Sequence, residues 1–177
     1  MSGPSGVGKS SVVDGLAQRI PFFFSVSMTT RAPRPDEVEG VDYRFVDHDE
    51  FERAIAAGEL VEWAKYGGHL YGTPAEQLER ERAAGKDVLL DIEIVGSRIV
   101  RERFPDALMI FITPPDMQEL ARRLRSRGDT SEADVTARLA VANDQIAESR
   151  EFFDHFVVND GLDAVIDQVA DILATVP

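Results

Sequence analysis

GPSGVGKS, Gly3 to Ser10, matches the phosphate-loop pattern GxxxxGK[ST] at every fixed position. Gly3, Gly6 and Gly8 allow backbone N–H groups to point into one concavity, Lys9 reaches outer phosphates, and the Ser10 hydroxyl suits a magnesium ion. The helix expected next, Ser11 to Ile20, adds its positive N-terminal end. Such a loop normally hangs from the C-terminal end of a buried strand, yet only Met1 and Ser2 precede Gly3. The expected first strand is missing from the sequence: the chain was cut or its start assigned late, or a different element fills that slot in the sheet, and truncation is the favoured expectation. An empty central position would leave an apolar gap and unpaired backbone groups on both neighbours.

Downstream, bulky and β-branched Phe22 to Met28 predicts a strand that runs into the proline-broken loop TTRAPRP. A short strand is expected within Glu37 to Val46. A short helix follows, with Asp47 as N-cap, Glu50 three residues on and Gly58 as its stop. LVEWAKY (Leu60 to Tyr66) and His69 to Gly72 read as strands joined by a Gly67-Gly68 turn. Residues 30–72 thus form a small insert of local antiparallel strands and one helix. From Thr73 onward, helices alternate with the apolar runs DVLLDI, LMIFIT and FVVND, without period-two patterning. That predicts an α/β fold with a parallel sheet covered on both faces. The core is residues 1–29 and 73–177, with an arginine-rich segment at about 123–138.

Totals limit the partners. The 177 residues suit one domain with inserts, and 32 acidic against 19 basic residues give a net charge of −13. That balance argues against nucleic-acid or anionic-membrane partners, while a small phosphorylated molecule fits if the few cations gather in one cleft. With no cysteine, disulfides and thiolate metal sites are excluded, and a reducing cytoplasm is compatible. No apolar run is long enough to span a bilayer, so the protein is expected to be soluble and cytoplasmic. His48, His69 and His155 have no metal-ligand spacing.

Several side chains carry a functional reading beside a plainer one. Arg31 and Arg34 lie in a proline-stiffened loop and either grip a phosphate with their forks or remain solvated charges. Tyr43 and Tyr71 add hydroxyls to that phosphate or simply pack. Glu62 interrupts LVEWA: it is an exposed strand residue or a carboxylate needing donors, which the N1–H and N2–H₂ edge of guanine supplies beside hydroxyls of Ser27 and Thr73. Asp91, at a strand end where ligands collect in open sheets, is a cap, a holder of magnesium-bound water or a steadying partner for an arginine. Arg122, Arg123, Arg125, Arg127 and Arg138 are a solvated face, or belong to a lid that closes over phosphates.

Taken in order, GPSGVGKS, SVSMTTRAPRPDEVEGVDYRF, LVEWAKYGGHLYGTP, LLDIE, RRLRSRGDTSE and FVVND resemble guanylate kinase over essentially the whole chain. The resemblance implies a P-loop kinase core, a GMP-binding insert (30–72) and a lid, with phosphoryl transfer from MgATP to GMP. It implies that Gly3, Pro4, Ser5, Gly6, Val7, Gly8, Lys9, Ser10, Ser11 and Asn159 bind ATP, with Ser10 on magnesium. Ser27, Glu62 and Thr73 would bind guanine, and Arg31, Arg34, Tyr43 and Tyr71 the GMP phosphate. Asp91 would lie beside Arg31 and the metal region, where it would meet magnesium through a water. Lys9, Arg31, Arg123, Arg127 and Arg138 would be the catalytic cations. Two positions depart from the pattern, Glu93 for the usual Asp and Val95 for the usual Gln, and Asp129 is inserted in the lid run. Two other readings remain open: a kinase of the same shape acting on another phosphorylated acceptor, and an inactive guanylate-kinase-like module that binds a phosphopeptide.

Overall fold

The structure, a computed structural model, describes residues 1–126 and 131–175. In chain order the elements are α1 (Lys9–Ala17), β1 (Phe23–Phe24), β2 (Met28–Thr29), β3 (Arg44–Phe45), α2 (His48–Ala56), β4 (Leu60–Tyr66) and β5 (His69–Pro74). Then follow α3 (Ala75–Ala83), β6 (Val88–Leu89), α4 (Ile94–Arg103), β7 (Ile110–Thr113), α5 (Met117–Ser126), α6 (Glu132–Ser149), β8 (His155–Val158) and α7 (Leu162–Ala174). The fold is mixed α/β, and the chain divides into two compact units: Met1–Pro21 with Ala107–Pro177, and Phe22–Asp106.

In the first unit β7 and β8 pair in parallel from Ile110↔His155 to Thr113↔Val158. Ser2 makes an isolated parallel bridge to Phe111 on β7, its N–H donating to the Ile110 carbonyl at 2.9 Å and its carbonyl accepting from Ile112 N–H at 2.8 Å. The phosphate loop therefore departs from a residue already seated in the β7 ladder. Phe111 and Ile112 are wholly buried with Val12 and Leu16 of α1, Leu120 and Leu124 of α5, Val135 of α6 and Val165 of α7. Each such side chain contributes roughly 1.5–3 kcal/mol by leaving water. Gly15 lets α1 approach α7: a Cβ there would overlap the Ile166 side chain. Ser131 caps α6 by accepting from Asp134 N–H at 3.2 Å.

The second unit holds a four-stranded sheet in the order β3-β2-β5-β4 and a parallel pair, β1 with β6. The Gly67-Gly68 turn expected from the sequence joins β4 to β5, both glycines at positive φ (57° and 86°), the mirror-image turn that follows strand twist. Asp47 caps α2, accepting from Glu50 N–H at 2.7 Å, and Gly58 ends it at φ 67°. Beneath the sheet pack Met28, Phe51, Ala54 and Leu60.

Three sequence expectations change. The run Phe22 to Met28 is not one strand: β1 pairs with β6, while Met28 already belongs to the other sheet. β2 and β3 pair in parallel, so the local pairing is mixed rather than antiparallel throughout. DVLLDI is regular only at Val88–Leu89, and α4 follows at Ile94. β-branched and aromatic content marks where strands are affordable, while partner choice is set by contacts distant in sequence.

Candidate active site

Loop geometry in the first unit follows from residues without side chains. Gly8 is the N-cap of α1 at φ 100°, a left-handed conformation costly to other residues, and a Cβ there would come within 2.7 Å of Asn159 Nδ2. No side chain caps α1 and its first turn holds no acidic residue, the electrostatic setting of an anion-binding helix start. Lys9 Nζ donates to the Gly3 carbonyl at 2.9 Å, which lays the side chain back along the loop. Pro4 and Val7 are buried, Ser5 and Gly6 half-buried, and Ser10 and Ser11 exposed.

Two side chains hold the loop from outside. Asn159 is buried, and its Nδ2 donates to the Val7 carbonyl at 2.8 Å. Arg123 Nη1 donates to that same carbonyl at 3.2 Å, Nη2 to the Asn159 carbonyl at 2.9 Å, and Nε to Glu119 at 2.7 Å. Arg123 thus reaches the loop with one N–H and is itself fixed by two others, to Asn159 and Glu119. Hydrogen bonds from Arg122 and Arg123 hold the Glu119 carboxyl far down, to about 2. Arg138 sits half-buried on α6, and Arg127 lies outside the described residues, as does Asp129.

In the second unit the residues singled out in the sequence gather at two places. At the first, Glu62 is buried on β4 opposite Thr73 on β5, and Thr73 Oγ1 donates to its carboxylate at 2.6 Å. Of the two readings of Glu62, the exposed strand residue is excluded, since only 5% of it is accessible. Burial pushes the carboxyl up to about 7, against the Thr73 hydrogen bond, and the charge of Glu93 adds to the rise. Gly96 of α4 lies directly against this carboxylate: a Cβ there would overlap Oε2 and come within 2.8 Å of Cδ. Ser27 is buried too, and its carbonyl accepts from Arg44 N–H at 2.9 Å.

The second place surrounds Arg31. Its Nε donates to Tyr71 Oη at 3.2 Å, and its guanidinium carbon lies 5.4 Å from the centre of the Tyr43 ring. The Tyr43 and Tyr71 rings meet edge to face at 5.9 Å. Burial pushes the Tyr43 hydroxyl pKa up, helped by the negative charges of Asp91 and Glu93, which places both carboxylates in this neighbourhood. Glu37 receives both Nη groups of Arg31, at 2.9 and 2.7 Å, and Nη1 of Arg34 at 3.3 Å. Sequence reasoning missed Glu37, Gly96 and Glu119. Glu37 had a signal, an acid three residues after Arg34 in a stiff loop, whereas nothing local marks Gly96 as the neighbour of a strand carboxylate.

The guanylate kinase family model matches residues 1–176.
The chain belongs to the guanylate kinase family.
It is 47% identical over 174 residues to a guanylate kinase of Synechococcus sp. (strain JA-3-3Ab), covering 98% of this chain and 80% of that one. A guanylate kinase of Thermosynechococcus vestitus is 52% identical over 164 residues, covering 92% and 85%. The crystal structure of guanylate kinase from Anaplasma phagocytophilum superimposes with a TM-score of 0.82 at 35% identity, covering 98% of this chain and 81% of that one. Among the described residues, no helix is long and apolar enough to cross a membrane, and no group of three or more His, Asp or Glu is placed to hold a metal ion. For a guanylate kinase's magnesium, the loop offers the exposed Ser10 hydroxyl, a hard oxygen suited to an ion that keeps most of its shell as water and phosphate. Of the two departures from the family pattern, Glu93 is half-buried and bears on Glu62, while Val95 is 53% exposed.

Proposed function

We propose that the chain transfers the terminal phosphoryl group of ATP to GMP, reversibly, giving ADP and GDP. The observation that carries the acceptor is the buried Glu62–Thr73 pair. A carboxylate raised by burial gains most from a ligand with two adjacent N–H donors, and the guanine edge has N1–H and N2–H₂ side by side. Adenine sets an unprotonated N1 there and leaves the charge unpaired, a difference of at least ~1–3 kcal/mol. Ser27 completes the guanine contacts.

Arg31, Arg34, Tyr43 and Tyr71 bind the GMP phosphate, and Asp91 steadies Arg31 or holds a metal-bound water. Gly3, Pro4, Ser5, Gly6, Val7, Gly8, Lys9, Ser10 and Ser11 bind the ATP phosphates, and Asn159 holds the loop beside the adenine. Bound at Ser10, magnesium supplies a double positive charge against the phosphate oxygens. Lys9 places its ammonium on the outer phosphates, and Arg31, Arg123, Arg127 and Arg138 add positive charge. No general base is needed, because the attacking GMP phosphate oxygen is anionic near neutrality. These side chains therefore act by orienting the phosphates and cancelling charge, together worth several kcal/mol, on the order of a few tenfold steps in rate. The cytoplasm, where both nucleotides are found, is the expected compartment.

An ADP-release assay over a panel of GMP, AMP and sugar phosphates tests the assignment. GMP is expected to be the turned-over acceptor. Rapid turnover of AMP or a sugar phosphate with none of GMP overturns it.

A further inference from the structure

The geometry points to Glu37 as a positioning residue of the GMP phosphate subsite: its carboxylate fixes the direction in which Arg31 and Tyr71 present their donors. The inference rests on the GMP reading above. Glu37 and Arg31 are nearly buried, with side-chain exposures of 13% and 14%. The carboxylate accepts four hydrogen bonds: Arg31 Nη1 at 2.9 Å, Arg31 Nη2 at 2.7 Å, the Arg34 backbone N–H at 2.8 Å and Arg34 Nη1 at 3.3 Å. One acid thereby ties the two arginines of TTRAPRP to each other through side chain and backbone.

Counting donors shows what remains for a ligand. Arg31 has five N–H groups. Two go to Glu37, one on Nη1 goes to the Ala32 carbonyl at 2.7 Å, and Nε–H goes to Tyr71 Oη at 3.2 Å. The fifth, on Nη2, lies on the same edge of the planar group as Nε–H, beside the Tyr71 hydroxyl. Because Tyr71 oxygen accepts from Arg31, its own proton is turned to donate elsewhere. Arg31 and Tyr71 together thus present two directed donors to one oxygen-rich anion, and neither direction survives if the guanidinium swivels. Arg31 is held against swivelling by the bidentate carboxylate behind it, and its backbone N–H is held by Thr29 Oγ1 at 3.1 Å. Hydrogen bonds to Arg31 and to Arg34 N–H outweigh the burial of Glu37 and keep its carboxyl below the usual carboxylate range, so it is a full counterion. An incoming phosphate has little reason to expel Glu37: it would break four hydrogen bonds to an almost buried charge. The two bonds from its Nη groups to Glu37 keep Arg31 from offering its outer fork to phosphate, while Arg34, 44% exposed, gives Glu37 only its backbone N–H and Nη1.

The test uses the whole chain. GMP and guanosine dissociation constants are measured by calorimetry, and kcat, KM for GMP and KM for ATP by steady-state kinetics. The variants are Glu37→Gln and Glu37→Asp. Glu37→Gln is expected to weaken GMP about tenfold, the scale of one lost charge-assisted hydrogen bond, and to lower kcat through the misdirected Arg31, while guanosine binding and KM for ATP stay within about twofold. Glu37→Asp, which keeps the charge, is expected to recover part of the GMP affinity. Unchanged GMP affinity in Glu37→Gln overturns the proposal. Tighter GMP binding also overturns it, since the carboxylate would then be a competitor of phosphate. Equal loss for GMP and guanosine overturns it in favour of a scaffold role. A wild-type chain that binds GMP no more tightly than guanosine removes the phosphate subsite itself, a failure recognisable before any variant is made.

Discussion

Substituting Gly96 by alanine tests whether the guanine end of the site depends on a bare helix backbone. Gly96 lies in α4, and a Cβ there would stand 2.8 Å from Glu62 Cδ and overlap Oε2. Carbon–carbon contact is comfortable at ~3.6 Å, so the carboxyl group must retreat by about 0.8 Å. The hydrogen bond from Thr73 is 2.6 Å and the pair is enclosed, so a retreat of that size stretches it past useful range. Losing a hydrogen bond to a charged acceptor costs about 1.5–3 kcal/mol. Alanine returns roughly 1 kcal/mol through helix propensity, which leaves the free protein destabilised by about 0.5–2 kcal/mol. Guanine recognition has no such offset, because propensity is the same with and without GMP. A misplaced carboxylate should therefore raise KM for GMP by roughly 30-fold, the equivalent of about 2 kcal/mol, with KM for ATP unchanged. The assay is steady-state ADP release at pH 8, with a thermal melt to confirm folding. A folded Gly96→Ala variant with KM for GMP within twofold of wild type would refute the reasoning.

Other expectations concern the same two units. Glu62, raised from 4.5 to about 7 by burial, holds its proton longer folded than unfolded. The stability it contributes is therefore present at low pH and falls by up to ~3 kcal/mol as pH rises from about 4.5 to 7, seen as a falling melting temperature that Glu62→Gln removes. GMP selects the ionised form, so KM for GMP should rise as pH falls below about 7, and Glu62→Gln should leave only the titration of the GMP phosphate itself, near ~6. Lys9→Met should lower kcat by at least ~100-fold with GMP affinity measured by calorimetry unchanged, as expected of charge cancellation in the transition state. Arg123→Lys, which cannot reach the Val7 and Asn159 carbonyls and Glu119 together, should raise KM for ATP several-fold, roughly the effect of ~1 kcal/mol, without changing KM for GMP.

What could be read from the chain was whatever depends on short stretches. The loop at Gly3 to Ser10, the Asp47 cap and the Gly67-Gly68 turn are each specified by neighbours within a few residues, and each stands where the sequence placed it. Strand partnership depends on residues far apart: nothing in FFFSVSM reveals that Phe23 pairs with Val88 while Met28 pairs with Gly72. The site divides the same way. Arginine forks in a stiff loop and an acid inside an apolar strand announce themselves by residue type. The groups that aim them are fainter: Gly96 acts by lacking atoms, Glu119 looks like an ordinary surface acid in a chain with 32 acids, and Glu37 is marked only by its place in the stiff loop. That excess of acid has a physical use. Each arginine pinned by a carboxylate gives up some attraction for phosphate in return for a fixed direction, and in phosphoryl transfer direction is worth more, since a donor misplaced by an ångström loses most of its effect on the transition state. A reader of the sequence therefore counts cations correctly and still misjudges them, because the acids beside them decide which N–H groups are left to act.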